Sequence, residues 1–125
     1  MPRVRYHLRV LIVDDYEDNR TMLKFMLERK GMIIFEAANG SEGVEVACRE
    51  HPDLILMDIR MPIMDGFEAT RQLKQMNSTQ DIPVLALSAN CSDPNLHIRA
   101  LEVGCIDCFS KPVEWGKIQT VIERL

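Results

Sequence analysis

Short aliphatic runs alternate along this chain with longer amphipathic stretches, and this alternation constrains the fold more than any other feature of the sequence. The runs predict five strands, at residues 9–13, 32–36, 54–57, 84–87 and 108–109. The middle runs are apolar throughout, as expected for strands that helices cover on both faces. An amphipathic stretch follows each run, so the pattern predicts repeated βα pairs around a parallel sheet. The predicted fold is therefore a single α/β domain.

Glycine, proline and capping residues mark the ends of the predicted helices. Gly31 and Gly104 stand where the first and fourth helices should end, since glycine tolerates the left-handed turn that closes a helix. The fourth helix should begin at Pro94, directly after the capping residue Asp93. The second helix should open at residues 39–41 and end near 51–52, and the third should cover 66–76.

Charge and the length of the apolar runs exclude several classes of function. Lys and Arg number 15 against 19 Asp and Glu, which gives a formal net charge of −4 in a chain of 125 residues. This sign is wrong for a protein that binds nucleic acid or an anionic membrane surface directly. Apolar runs are at most four residues long, whereas a membrane helix needs about 18 or more. The basic start of the chain leads into Asp14 without a cleavage-type segment, so we expect no export signal.

Four cysteines are present, at positions 48, 91, 105 and 108. Because no secretory signal is found, we expect a cytoplasmic protein with reduced thiols. Cys105 and Cys108 form a C-x-x-C motif, which leaves a redox or zinc function open. Structural zinc would need a second ligand pair, and this motif leads into a strand rather than opening a helix. We therefore keep this function only as an alternative.

Reactive side chains follow most of the predicted strands at their carboxyl ends. Those that follow the first, third, fourth and fifth strands are Asp14 with Asp15, Asp58, Ser88 and Lys111. The carboxyl ends of parallel strands meet at one edge of the sheet, where open α/β folds bind their ligands. Three carboxylates there repel one another at neutral pH, and oxygen ligands with open positions suit Mg²⁺. The sequence therefore predicts a magnesium site at this edge.

A lysine and a hydroxyl beside a metal site favour phosphoryl chemistry. Lys111 and the metal would offset the charge of a phosphoryl group, and Ser88 would donate a hydrogen bond to one of its oxygens. The nucleophile is then expected to be a carboxylate, which is already ionised and needs no catalytic base.

Four motifs occur in order at these strand ends. They are Asp14-Asp15, the segment DIRMPIMDG at residues 58–66, Ser88-Ala89 and Lys111-Pro112. This combination resembles the receiver domain of two-component response regulators. The resemblance covers residues 8–125 as one receiver domain and leaves residues 1–7 as a short N-terminal extension. It implies an α/β, flavodoxin-like receiver fold with five parallel strands in the order 2-1-3-4-5, flanked by five helices.

The resemblance also implies a role for each site residue. Asp58 would accept a phosphoryl group from a histidine on a partner kinase. Asp15 and Asp58 would bind Mg²⁺ directly, Asp14 would bind it through water, and the backbone carbonyl of Arg60 would complete the protein ligands. Lys111 would pair with the phosphoryl group, and Ser88 would move toward it as the switch.

The implied function is a signalling switch rather than an enzyme, although the chain would catalyse its own phosphorylation and dephosphorylation. The donor would be a histidine kinase or a phosphotransfer protein. Phosphorylation would change a protein-binding face near the fourth helix, fifth strand and fifth helix. A downstream protein target and a phosphorylation-dependent homodimer are the other implied partners, with no direct contact with nucleic acid or membrane.

One position departs from the receiver pattern. Receivers usually carry an aromatic residue three positions before the lysine, and Cys108 stands there in this chain. Phe109 follows, but neighbouring side chains of a strand point to opposite faces, so Phe109 cannot replace the missing ring. We therefore expect signal output through the fourth helix to be unusual.

Two other functions stay open as alternatives. A redox-sensing or pseudo-receiver module would act through Cys105 and Cys108. A phosphohydrolase of the haloacid dehalogenase type would carry a second Asp two residues after the nucleophile, where this chain has Arg60. Arg60 and Asn90 each lie two residues beyond a site residue, and we expect them to modulate the lifetime of the phosphoryl group.

Overall fold

The computed structural model describes residues 7–61 and 63–125, so most of the predicted N-terminal extension at residues 1–7 lies outside the described part. Within that part, five strands alternate with five helices. The strands are β1 (Arg9–Val13), β2 (Ile33–Ala37), β3 (Leu54–Asp58), β4 (Val84–Ser88) and β5 (Asp107–Ser110). The helices are α1 (Glu17–Glu28), α2 (Gly40–Glu50), α3 (Gly66–Gln75), α4 (Pro94–Val103) and α5 (Trp115–Glu123). Over the described ranges, no helix is both long and apolar enough to cross a membrane.

The strands form one parallel sheet in the order β2-β1-β3-β4-β5, which confirms the predicted topology. The strand ends differ in detail. β3 and β4 each extend one residue further than predicted, to Asp58 and Ser88, because the backbones of these polar residues still pair with the neighbouring strand. β5 is four residues long rather than two for the same reason. β2 begins one residue late, since the amide of Met32 bonds back to α1.

Helices cover the sheet on both faces, as the apolar strands predict. In β1, Leu11 and Val13 pack into the core cluster on the side of α2, α3 and α4, whereas Val10 and Ile12 pack into the cluster with α1 and α5. All four side chains are at most 1% exposed. Burying each of them contributes about 1.5–3 kcal/mol to folding. This two-sided burial fixes the strand register and thereby the positions of the residues at the strand ends.

Local capping chemistry sets the ends of α4. Asp93 caps the helix as predicted, because its carboxylate accepts a hydrogen bond from the amide of Asn95 at 3.0 Å and Pro94 follows at the first turn. Gly104 ends the helix with a φ of 114°, in the left-handed region that favours glycine. The segment between β4 and α4, residues 89–93, is called the β4–α4 loop below.

Candidate functional site

The three predicted carboxylates meet at the carboxyl edge of the sheet. Asp14 and Asp15 follow β1, and Asp58 ends the neighbouring strand β3. One carboxylate oxygen from each residue lies within 4.8 Å of the other two. Asp14 and Asp58 are 2% and 5% exposed, whereas Asp15 is exposed. The cluster therefore has two buried acids and one acid on its solvent side.

Lys111 joins this cluster from the loop after β5. Its Nζ lies 2.9 Å from Oδ2 of Asp14 and 3.1 Å from Oδ1 of Asp58. Its backbone amide donates to the carbonyl oxygen of Ser88 at 2.9 Å, which holds the loop against the end of β4. Three carboxylates and one ammonium leave a formal charge of −2. This charge and the oxygen ligands fit a divalent cation such as Mg²⁺.

Burial and neighbouring charges set the ionisation of the site. Burial raises the pKa of Asp58 to about 6 from an ordinary value of 3.8; Lys111 opposes this rise and Asp14 adds to it. Burial also disfavours the charged form of Lys111. The hydrogen bond to Asp14 and the charges of both carboxylates outweigh that effect, so the pKa of Lys111 is raised. The lysine therefore stays charged at neutral pH, and a bound cation would favour the ionised form of Asp58.

Residues at the start of α1 hold Asp14 in place, and the sequence patterns did not reveal them. The amide of Tyr16 donates to Oδ1 of Asp14 at 2.9 Å, and the side chain of Asn19 donates to Oδ2 at 3.5 Å. Arg20 donates to the backbone carbonyl of Asp14 at 2.7 Å and forms an ion pair with Glu36 at 3.3 Å. Their position in the sequence could have indicated them, since the first turn of a helix directly after β1 faces the same edge of the sheet.

The loop after β3 passes close to Asp58. The amide of Arg60 donates to Oδ1 of Asp58 at 3.3 Å, and the side chain of Arg60 is exposed. The amide of Gly66 donates to the carbonyl of Ile59 at 2.9 Å, which brings the chain back to the strand end. A Cβ at Gly66 would overlap the backbone carbonyl oxygen of Asp58, so this close approach requires glycine. Pro62, which belongs to the same motif, lies outside the described residues.

Ser88 ends β4, the strand beside Asp58. It is 2% exposed, and its Oγ accepts a hydrogen bond from the amide of Asn90 at 3.2 Å. Asp58 pairs with Leu87, so Ser88 lies one residue further along the adjacent strand. The predicted residues at the strand ends are thus brought to one edge, with the four charged ones in direct contact or within a few ångströms. The effect of Arg60 and Asn90 on a phosphoryl group stays a prediction.

The cysteines pair differently from the expectation. Cys91 and Cys108 form a disulfide, so the expectation of reduced thiols is wrong for these two residues. Cys105 is a free, buried thiol whose Sγ lies 3.8 Å from the hydroxyl of Thr70, so the two cysteines of the alternative C-x-x-C function are not bonded to each other. The reason is the path of the chain, because the β4–α4 loop turns back toward β5. Cys108 and Phe109 do pack into opposite core clusters, as the strand alternation predicts.

Comparisons with known proteins agree with this geometry. A family model described as the response regulator receiver domain matches residues 10–123. Protein PilH of Pseudomonas aeruginosa is 40% identical over 106 residues, which cover 85% of this chain and 87% of that protein. Sensor protein EvgS of Escherichia coli K12 is 36% identical over 118 residues, which cover 94% of this chain but 10% of that protein. The chain thus spans most of one curated relative and a small part of another.

Solved structures show the same similarity. The chemotaxis protein CheY4 of Vibrio cholerae superposes with a TM-score of 0.87 at 27% identity, covering 94% of this chain and 98% of that chain. The receiver domain of a sensor histidine kinase from Pseudomonas aeruginosa PAO1, solved with magnesium in its active site cleft, gives a TM-score of 0.86 at 31% identity. That match covers 94% of this chain and 96% of the other. This chain belongs to the family of response regulator receiver domains, the signalling domains of two-component systems.

Proposed function

We propose that residues 8–125 act as a phosphoacceptor switch and that Asp58 is the residue phosphorylated. The observation that carries this proposal is the contact of Lys111 with two buried carboxylates, at 2.9 Å from Asp14 and 3.1 Å from Asp58. Asp15 lies beside them on the solvent side. Membership of the receiver family supports the same assignment.

The proposed transfer step moves a phosphoryl group from a donor histidine to Asp58. A carboxylate oxygen of Asp58 attacks phosphorus, the bond from phosphorus to the histidine nitrogen breaks, and the nitrogen keeps the electron pair. Lys111 shifts from the carboxylate to the phosphoryl oxygens and offsets their charge. The Ser88 hydroxyl donates a hydrogen bond to one of these oxygens. Dephosphorylation is the attack of a water oxygen on phosphorus, which releases inorganic phosphate and regenerates the carboxylate.

Mg²⁺ is the proposed cofactor, because the site has oxygen ligands and a formal charge of −2. Asp15 and Asp58 would bind the ion directly and Asp14 would bind it through water. The backbone carbonyl of Arg60 would supply a further ligand, and the hydrogen bond from the Arg60 amide to Asp58 keeps this backbone near the cluster. The chemistry that the ion supplies is neutralisation of the phosphoryl oxygens.

Two exposed apolar surfaces support the proposed partners. Along α1, whose first residues follow the acidic cluster, Met22 and Phe25 are 65% and 63% exposed, and Tyr16, directly before the helix, is 58% exposed. We assign this surface to the donor, a histidine kinase or phosphotransfer protein. Near α4 and β5, Ile98 and Ile106 are 52% and 45% exposed. We assign this second surface to a downstream protein target or to a second copy of the phosphorylated chain, in the cytoplasm.

The phosphohydrolase alternative receives no support. Its second acid would stand at position 60, where an exposed arginine occurs. The acids that accompany Asp58 in the cluster are instead Asp14 and Asp15, which follow β1.

Intact-protein mass spectrometry after incubation with acetyl phosphate and Mg²⁺ tests the proposed function. We expect one phosphoryl adduct in the parent and in Asp81→Asn, which removes an exposed acid. We expect none in Asp58→Asn, or in the parent when EDTA replaces Mg²⁺. Beryllofluoride, which mimics a phosphoryl group on a carboxylate, detects the site when the adduct hydrolyses quickly. Failure of both probes, or an equal adduct in Asp58→Asn, would contradict the proposal.

A further inference from the structure

The Cys91–Cys108 disulfide links two segments that also carry site residues. Cys91 lies in the β4–α4 loop, three positions after Ser88, and Cys108 lies in β5, three positions before Lys111. Their Cα atoms lie 5.7 Å apart, a separation that a disulfide spans without movement of the backbone. The bond therefore crosslinks the loop after the serine to the strand before the lysine.

The crosslinked loop also contacts the Ser88 hydroxyl. The amide of Asn90 donates to Oγ of Ser88 at 3.2 Å, and the amide of Asp93 donates to the carbonyl of Asn90 at 2.9 Å. Residues 90–93 thus form one turn, and Cys91 lies within it. A bond from Cys91 to β5 therefore restrains the backbone that holds the hydroxyl.

A cleft gives small reagents access to the disulfide. Cys91 and Cys108 are only 6% and 5% exposed. However, both cysteines line a cleft of about 490 Å³, which also borders Lys111. Both cysteines therefore border a solvent-accessible cleft in the folded protein, and the same cleft reaches Lys111 of the acidic site.

We propose that Cys91 and Cys108 form a reversible redox-modification site whose closure fastens the β4–α4 loop to β5. Closure by hydrogen peroxide joins the two sulfur atoms, and the two protons and two electrons released reduce the peroxide to two molecules of water. Two molecules of a thiol such as glutathione open the bond through a mixed disulfide and leave as one oxidised glutathione.

A consequence for signalling rests on the proposed function. In the proposed function the Ser88 hydroxyl moves toward the phosphoryl group on Asp58, and this movement changes its position relative to the Asn90 amide. The closed disulfide opposes this shift because it ties the same turn to β5. The oxidised protein should therefore be phosphorylated more slowly than the reduced protein.

Peptide mass spectrometry without reductant tests whether the pair closes and opens. The full chain is reduced, then oxidised with hydrogen peroxide, and remaining thiols are blocked with N-ethylmaleimide. We expect one disulfide between Cys91 and Cys108, which glutathione opens again. Cys48→Ser, which alters a free cysteine outside the pair, should form the same bond, and Cys91→Ser should not. A bond from Cys105 to Cys108, or no bond, would overturn the proposal.

Hydrogen exchange tests whether the bond fastens the loop. Amides of residues 89–93 should exchange on the order of ten-fold more slowly in the oxidised parent than in the reduced parent. Oxidation should leave these amides unchanged in Cys91→Ser. Equal exchange in the two forms of the parent would overturn the claim that the bond restrains the loop.

Phosphorylation rates separate this inference from the proposed function. With acetyl phosphate and Mg²⁺, the adduct should form about five-fold more slowly in the oxidised parent, with no redox effect in Cys91→Ser. Equal rates in the two forms would overturn the link from the disulfide to signalling. Absence of both the adduct and beryllofluoride binding in both forms would contradict the proposed function, and the peptide and exchange data would then still decide the redox site.

Discussion

Replacing Asp58 by Asn should stabilise the fold at neutral pH when divalent cations are absent. The Asp58 side chain is buried, and burial raises its pKa to about 6 from an ordinary value of 3.8. The folded chain therefore holds this proton more tightly than the unfolded chain does. The resulting stability is present below about pH 4 and is lost as the pH rises through about 6. Asn stays uncharged throughout, so the variant avoids this loss.

The size of the effect follows from the shift in pKa. The rise in the pKa of Asp58 from 3.8 to about 6 corresponds to about 3 kcal/mol in the free energy of unfolding. The Asn amide must find new hydrogen bonds beside Lys111, which costs about 1 kcal/mol. We therefore expect Asp58→Asn to raise the free energy of unfolding by about 2 kcal/mol at about pH 7.5 and to give no gain at about pH 4.

Urea-induced unfolding in EDTA at these two pH values, followed by circular dichroism, measures the effect. Asp81→Asn removes one negative charge at an exposed position and so controls for the change in net charge. Mg²⁺ at about 100 times its Kd should stabilise the parent by about 2.7 kcal/mol and the Asp58→Asn variant much less. The parent and the variant should then have similar free energies of unfolding. A variant less stable than the parent near neutral pH in EDTA, or a gain of equal size at both pH values, would refute the argument that the buried carboxylate is the cause.

Three further predictions concern other parts of the molecule. Lys111→Met should lower the free energy of unfolding by about 3 kcal/mol in EDTA, because two buried carboxylates lose their shared cation; unchanged urea midpoints would contradict this. Gly66→Ala should cost about 2 kcal/mol and slow phosphorylation of Asp58, because the added Cβ overlaps the Asp58 carbonyl; parental stability and rate would contradict this. Reducing the Cys91–Cys108 disulfide, which spans 17 residues, should lower the free energy of unfolding by up to about 3 kcal/mol. Thermal unfolding with and without reductant measures it, and an equal effect of reductant on Cys91→Ser would contradict it.

The sheet and most of the site could be predicted from the sequence because both depend on short-range patterns. Residues 54–57 are all apolar, and a strand buried on both faces needs this composition. Asp58 follows directly, so its position at the sheet edge comes from the strand before it. Asp14 and Ser88 were found by the same rule, since each stands where an apolar run ends.

Features that depend on contacts distant in the sequence were missed or predicted incorrectly. The sequence predicted reduced thiols and kept the C-x-x-C motif of Cys105 and Cys108 only as an alternative, but the path of the β4–α4 loop brings Cys91 to Cys108. No periodic pattern encodes the path of such a loop. The ion pair of Arg20 with Glu36 was also missed, because it joins two elements only after β1 and β2 have paired.

Chemical marking of the phosphorylated residue tests the central claim most directly. Sodium borohydride reduces an aspartyl phosphate to homoserine, so tandem mass spectrometry of peptides then locates the residue that carried the phosphoryl group. After treatment with acetyl phosphate and Mg²⁺, we predict homoserine at position 58 and its loss when EDTA replaces Mg²⁺. Homoserine at Asp14 or Asp15, or none at all in protein that carries a phosphoryl adduct, would contradict the assignment of Asp58 as the phosphoacceptor.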